Sequence, residues 1–211
     1  MGDAGDKTLA DIGGEPLIAR TVDVFERCDA VTAIVLVVSE RNLDAITALR
    51  DAKGWARTLP PCVGGARRQD SVRVGIDALP AECDWVLVHD GARPFVTPRM
   101  IEEGLAAASA TGAAIAVVPA FDTVKRVGDD GRVVETLDRS QLVMVQTPQV
   151  FRREVLERAH AGVADDVTDD AAMVERIGVE VRTFDGARSN IKVTTPEDLV
   201  IACAMLGRTP T

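Results

Sequence analysis

The run Val31-Thr32-Ala33-Ile34-Val35-Leu36-Val37-Val38-Ser39 is almost continuously apolar and β-branched, and Trp85-Val86-Leu87-Val88-His89 and Ala113 to Val118 share that character. Strands covered on both faces read this way, because polar alternation is needed only where one face meets water. Between these runs the apolar residues change to helical spacing: Leu17, Ile18, Val22 and Phe25 after Pro16, then Leu43, Ile46 and Leu49, then Val72, Ile76 and Leu79. Apolar strands alternating with amphipathic helices predict an α/β fold, a parallel sheet with helices on both faces. Near the end, Thr195-Pro196-Glu197-Asp198 supplies an N-cap, a proline at the first helical position and an acid at the capping-box position, so the last helix starts there.

One stretch breaks the rhythm. Thr123-Val124-Lys125-Arg126-Val127, the turn Gly128-Asp129-Asp130-Gly131, and Val133-Val134-Glu135-Thr136-Leu137 form a hairpin pattern, with Leu142-Val143-Met144-Val145 following it. This arm, residues 122–146, carries little apolar mass, and a two-stranded ribbon is marginal alone. It is expected to pack against a second subunit or against its own domain.

With 211 residues the chain is long enough for one good-sized core, and a single domain spanning 1–211 is expected. Its 24 basic and 33 acidic residues leave a formal charge of −9, and it contains no Tyr, which argues against a general nucleic-acid binder. No apolar run reaches the roughly 18 residues needed to cross a bilayer, and Met1 to Lys7 is too acidic and Gly-rich for a signal peptide, so a cytoplasmic protein is expected. Cys28, Cys62, Cys83 and Cys203 are widely spaced, with only His89 and His160 as imidazole partners; four reduced cysteines and no zinc site are expected.

Polar clusters follow the apolar strands, where open α/β sheets place ligands. Gly64-Gly65-Ala66-Arg67-Arg68-Gln69-Asp70-Ser71 opens a helix; taken alone it reads more readily as a tight turn with solvated arginines than as a ligand-binding loop with amides, a fixed cation and a hydroxyl. Asp90-Gly91-Ala92-Arg93-Pro94 suits Mg²⁺ with phosphates, or a helix-capping Asp with an Arg salt bridge. His89 reads as a core or supporting residue rather than a general base, and His160, between Ala159 and Ala161, as helix surface. Val167-Thr168-Asp169-Asp170-Ala171 has a complete structural account as an N-cap with acids in the first turn. In Asn190-Ile191-Lys192-Val193-Thr194, a short apolar strand, Lys192 either serves a site or snorkels at an edge. No G-x-S-x-G, H-E-x-x-H or Ser-His-Asp set supports a nucleophilic or zinc hydrolase.

Taken in order, Lys7, Gly64-Gly65-x-x-Arg68-x-x-Ser71-Val72, Val88-His89-Asp90-Gly91-Ala92-Arg93-Pro94, Asp122-Thr123-Val124-Lys125, Asp138-Arg139, Gln146-Thr147-Pro148-Gln149-x-Phe151, Thr168-Asp169-Asp170-Ala171 and Asn190-Ile191-Lys192-Val193-Thr194-x-Pro196-Glu197-Asp198 resemble the 2-C-methyl-D-erythritol 4-phosphate cytidylyltransferase family from Lys7 to about Leu206. The resemblance implies a Rossmann-like α/β fold, a mostly parallel sheet with helices on both faces, whose protruding β-hairpin arm reaches across a homodimer. It implies transfer of CMP from CTP to methylerythritol phosphate, with release of pyrophosphate and with Mg²⁺ as cofactor. By the same resemblance Gly64, Gly65, Arg68 and Ser71 hold cytidine and ribose, with Asp90 and Ala92 close by. Lys7 and Lys192 grip the triphosphate beside Mg²⁺, which is bound mainly through CTP. Thr123 and Arg139 meet the substrate phosphate from the partner's arm, and Arg93 and Thr168 complete that pocket. Related readings are a ribitol-5-phosphate cytidylyltransferase and a non-catalytic dimer partner.

The sequence departs from the family pattern at the amino end. The family opens with a strand and a loop of the type P-A-A-G-x-G-x-R-M; this chain starts at what looks like that Met, and Asp6 stands where Pro is usual. The expectation is an amino-terminally shortened enzyme with apolar surface bared inside its sheet.

Overall fold

The structure, a computed structural model, describes residues 8–162 and 165–207. Lys7 lies outside the described residues. The elements run α1 (Leu17–Glu26), β1 (Val37–Val38), α2 (Leu43–Lys53), β2 (Cys62–Val63), α3 (Arg68–Ala78), β3 (Trp85–Val88), α4 (Pro98–Ala108), β4 (Ala113–Pro119), β5 (Lys125–Val127), β6 (Val133–Thr136), β7 (Val143–Arg152), α5 (Arg153–Gly162), α6 (Asp170–Arg176), β8 (Arg182–Asp185) and α7 (Pro196–Leu206).

The main sheet has the order β3-β7-β4-β8. β7 is antiparallel to both β3 and β4, and β4 is parallel to β8, so three of the four strands point the same way and β7 runs against them. The apolar run at Ala113 shows why this sheet is covered on both faces. Ala113, Ile115 and Val117 pack with Ile76, Phe151, Leu156 and Met173 on one side, while Ala114 and Ala116 pack with Phe25, Met100, Ile101 and Val150 on the other. The two-residue period of a strand sends consecutive apolar side chains to opposite helical layers. Phe151 is fully buried on β7, and loss of a ring of that size from a packed core costs about 3–5 kcal/mol.

The helix starts follow the local chemistry. Thr97 accepts a hydrogen bond from Met100 N ahead of Pro98, and Thr195 and Asp198 form the reciprocal capping box expected for the last helix. Asp198 accepts from the backbone amides of Thr194 and Thr195, which pulls its carboxyl down to about 2.

Three expectations are corrected. Val31 to Ser39 yields only the two-residue strand β1, paired in parallel with β2, and an isolated bridge from Ile34 to Thr58. The segment Leu142 to Val145 is not part of the arm's ribbon: β5 and β6 pair with each other, while Val143, Met144 and Val145 open β7 and pair with Pro119, Val118 and Val117. Asn190 to Thr194 is not a strand: Asn190 N and Ile191 N bond locally to Ala187 O and Ser189 O, and Val193 N reaches Ala92 O at 2.9 Å.

Among the described residues no strand lies between β1 and β3. Val35, Leu36, Val37 and Val38 face Val86, Leu87 and Val88 across a cleft of about 780 Å³, which also reaches Thr8, Ile18 and Val22. The walls of this cleft are largely apolar among the described residues. The β1–β2 unit is held by α3, where Gly75 lies against Val37, and by α1 and the turn before it, through a cluster of Ile18, Ala19, Val22, Leu36, Ile46 and Trp55 and through polar links from Lys53 to Glu15, Trp55 to Asp23 and Thr58 to Glu26.

Candidate active site

Beside the carboxyl ends of β3 and β8 lies a second cavity of about 320 Å³, lined by Arg68, Asp90, Arg93, Val145, Gln146, Thr147, Gln149, Thr168, Asp169 and Lys192. Five of the residues singled out in the sequence thus meet: Arg68, Asp90, Arg93, Thr168 and Lys192.

The loop after β3 is fixed from two sides. Asp90 N donates to Thr147 Oγ1 at 3.0 Å, and the same hydroxyl contacts His89 Nδ1 at 3.1 Å. Because Thr147 Oγ1 accepts from Asp90, its proton is free to go to His89, which leaves Nδ1 as acceptor and Nε2–H as donor to Arg93 O at 3.2 Å. Burial pushes the imidazole down to about 4, so it is neutral at ordinary pH. His89 therefore buttresses the loop and faces away from general-base work, with its ring 5.0 Å from Phe25.

Arg93 donates from Nε to Asp90 Oδ2 at 3.1 Å and from Nη1 to Asn190 O at 2.8 Å. Asn190 is wholly buried and donates to Thr147 O at 2.9 Å and Gln146 Oε1 at 3.3 Å, which ties the loop after β8 to β7. This tie, invisible in the sequence, carries Lys192 to the pocket: its Nζ stands 3.2 Å from Asp90 Oδ2 with the side chain 45 % exposed. Burial works against the charge on Asp90, but Lys192 and Arg93 outweigh it and hold the carboxyl below its usual range.

On the opposite wall, Gln149 of β7 donates to Asp169 Oδ2 at 2.8 Å and accepts from Ala171 N at 3.3 Å, and Asp169 caps α6 through Ala172 N at 3.0 Å. Thr168 is thereby held at the rim. Arg68 enters from the first turn of α3 and meets the buried Asp170 at 2.7 Å. His160, read from sequence as helix surface, is corrected: its side chain is only 6 % exposed and its Nε2 lies 3.6 Å from Asp170. Small neighbours disguised it, and its partner lies ten residues further along.

Gly64, Gly65 and Ser71 lie at the turn before α3 and its first residues, where space is short: a Cβ on Gly64 would come within 2.6 Å of Ser71 Oγ. Ser71 also lines the larger cleft, with Arg68 and Asp90, so the two cavities adjoin along this edge. Ala92 supplies the carbonyl that Val193 binds. Thr123 and Arg139 are exposed on and beside the arm and do not reach this chain's own pocket.

Two cations on one carboxylate at the carboxyl ends of sheet strands, with a third cation lining the same cavity beside a paired-glycine turn that opens a helix, define an enzyme that handles a nucleotide's phosphates. The chain matches the family IspD, 2-C-methyl-D-erythritol 4-phosphate cytidylyltransferase, over residues 1–208 and belongs to it. It is 45 % identical over 203 residues to the protein of that name from Dehalococcoides mccartyi strain CBDB1, covering 96 % of this chain and 89 % of the relative. It is 44 % identical over 209 residues to the one from Bacillus cytotoxicus, covering 98 % and 92 %. Among solved structures, 4-diphosphocytidyl-2C-methyl-D-erythritol synthase from Anaerococcus prevotii superposes with a TM-score of 0.89 at 30 % identity, covering 97 % of this chain and 95 % of that one.

Proposed function

We propose that the pocket bounded by Arg68, Asp90, Arg93 and Lys192 is where this chain transfers a cytidylyl group from CTP to 2-C-methyl-D-erythritol 4-phosphate in the non-mevalonate isoprenoid pathway. The observation that carries the assignment of the site is the convergence of Arg93 and Lys192 on Asp90, opposite Arg68.

The reaction needs no protein nucleophile. An oxygen of the substrate phosphate attacks the α-phosphorus of CTP in line; the new P–O bond forms as the bond to the bridging oxygen breaks, and pyrophosphate leaves with the electron pair. The protein's part is to bring two polyanions together and to oppose the charge of the five-coordinate transition state. Gly64, Gly65, Arg68 and Ser71 hold cytosine and ribose, with Ala92 beside them. Lys192, with Lys7, neutralises the triphosphate, and Arg93 and Thr168 orient the substrate. Mg²⁺ fits the donor set, since such ions take one or two carboxylates and complete their shell with phosphates and water, and Asp90 is a carboxylate on the pocket wall. When bound, the ion supplies neutralisation of phosphate charge. Net charge and local charge need not agree: the cations are gathered at one place on an acidic protein.

Incubation with CTP, methylerythritol phosphate and Mg²⁺ is expected to release pyrophosphate only when all three are present. Release with ribitol 5-phosphate and none with methylerythritol phosphate would assign the site to the other alcohol phosphate.

The arm is proposed to complete the neighbouring subunit's pocket in a cytoplasmic homodimer. Its support is the row of exposed apolar residues Val127, Val133, Val134 and Met144, together with the distance of Thr123 and Arg139 from their own pocket. Arg139→Ala and Lys192→Ala proteins, each nearly inactive, are then expected to regain up to about a quarter of wild-type activity when mixed and allowed to exchange subunits. A mixture as inactive as its components, in which exchange is demonstrated, would show that each pocket is complete within one chain.

A further inference from the structure

Asp170 is a carboxylate with no part in capping its own helix, because Asp169 and Gln149 already satisfy the first turn of α6. It is nevertheless completely buried, and burial of a charge is unfavourable unless something is gained from it. Its Oδ2 lies 2.7 Å from Arg68 Nη2 in an ion pair whose angle does not complete a hydrogen bond. Its Oδ1 faces His160 Nε2 at 3.6 Å, and among the described residues neither of those atoms has a hydrogen-bond partner. The three residues come from three elements, α3, α5 and α6, and form a line that starts in the core and ends on the pocket wall. Asp70 of α3 also faces His160, but its carboxylate is engaged by Arg67.

We infer that Asp170 is a positioning residue for Arg68, holding the guanidinium ready for the nucleotide, with His160 packed behind the carboxylate to fix it and keep water out. The inference rests on the reading of this pocket as the CTP site. An arginine is a long side chain with many rotamers, and the carboxylate that meets it here is buried and backed by the nearly buried His160. A nucleotide then meets a cation already in place, so the gain appears in CTP binding.

Steady-state kinetics of Asp170→Asn, His160→Gln, Arg68→Ala and the double variant Asp170→Asn/Arg68→Ala test this. Asp170→Asn is expected to raise KM for CTP about tenfold with kcat within about threefold of wild type, and His160→Gln to raise it about threefold. In the Arg68→Ala background Asp170→Asn should add nothing, because the residue it positions is gone. An unchanged KM for CTP in Asp170→Asn, or effects that multiply in the double variant, would overturn the positioning role. If Asp170→Asn gives no thermal transition, Asp170→Glu carries the same comparison, with a rise in KM that vanishes in the Arg68→Ala background. Arg68→Ala without effect on CTP would remove the reading of the pocket itself, whereas an effect of Arg68 without one of Asp170 removes the positioning role alone.

Discussion

Replacing Lys192 by Ala should lower kcat by about two to three orders of magnitude, the usual consequence of removing one preorganised charge from a site where negative charge develops. The Lys192 side chain is 45 % exposed, and Asp90 keeps its ion pair with Arg93 when Lys192 is removed, so the fold is expected to lose little. Activity and stability are therefore expected to separate, with the melting temperature nearly unchanged. Pyrophosphate release under saturating CTP measures the first and a thermal scan the second. A variant that kept kcat within threefold would show that Lys192 merely covers Asp90. The loss of Lys192 also takes away one of the two cations that oppose the burial of Asp90, so the carboxyl should titrate higher in the variant.

The second large effect is on stability and comes from His89. Its imidazole is held neutral down to about pH 4 by burial, whereas in the unfolded chain it titrates near 6.5. Between those two values the unfolded chain takes up a proton that the folded protein refuses. The contribution is thus complete above pH 6.5 and is lost as pH falls toward 4, amounting to about 3 kcal/mol at the lower end. Out of a total of about 5–15 kcal/mol this is a large share. The carboxyls of Asp90 and Asp198, both depressed, withdraw their own support only below their ordinary value of 3.8, so the higher window belongs to His89 among these groups. Urea unfolding at intervals from pH 7.5 to 4 should show the decline, and His89→Gln, which can still bridge Thr147 and the Arg93 carbonyl, should flatten it. An equal slope in that variant would place the acid sensitivity elsewhere.

What could be read beforehand divides along physical lines. The runs at Trp85 and Ala113 announced strands because both faces are apolar, and α7 announced itself through its capping box; each is a local signal. The place of β7 was not local. Its first residues, Val143 to Val145, have the same β-branched character whether they continue an arm or enter the sheet, and only pairing with β4 decides. The short extent of β1 has the same origin, since a run of apolar residues becomes a ladder only where a partner is aligned. At the site, Arg68, Asp90, Arg93, Thr168 and Lys192 were legible as chemistry-bearing residues next to strand ends, and the structure brings them to one cavity. Asn190 and His160 were not legible in their roles: one is fixed by Thr147 and Gln146 more than forty residues earlier, and the other faces Asp170 of the next helix.

The cleft between β1 and β3 has a mechanical meaning. In a continuous sheet the backbone ladder transmits load from edge to edge, and the strands part together. Here no ladder joins β1 to β3 among the described residues, and the β1–β2 unit is held by side chains, through the α1 cluster and its polar links and through α3, where Gly75 lies against Val37. Such a unit is expected to open at lower free energy than the whole molecule needs to unfold, as a separate cooperative piece. The amides of Val37 and Val38 are then expected to exchange with solvent deuterium before those of Val86 and Val150, along a seam that runs beside Ser71 and Arg68 at the edge of the pocket.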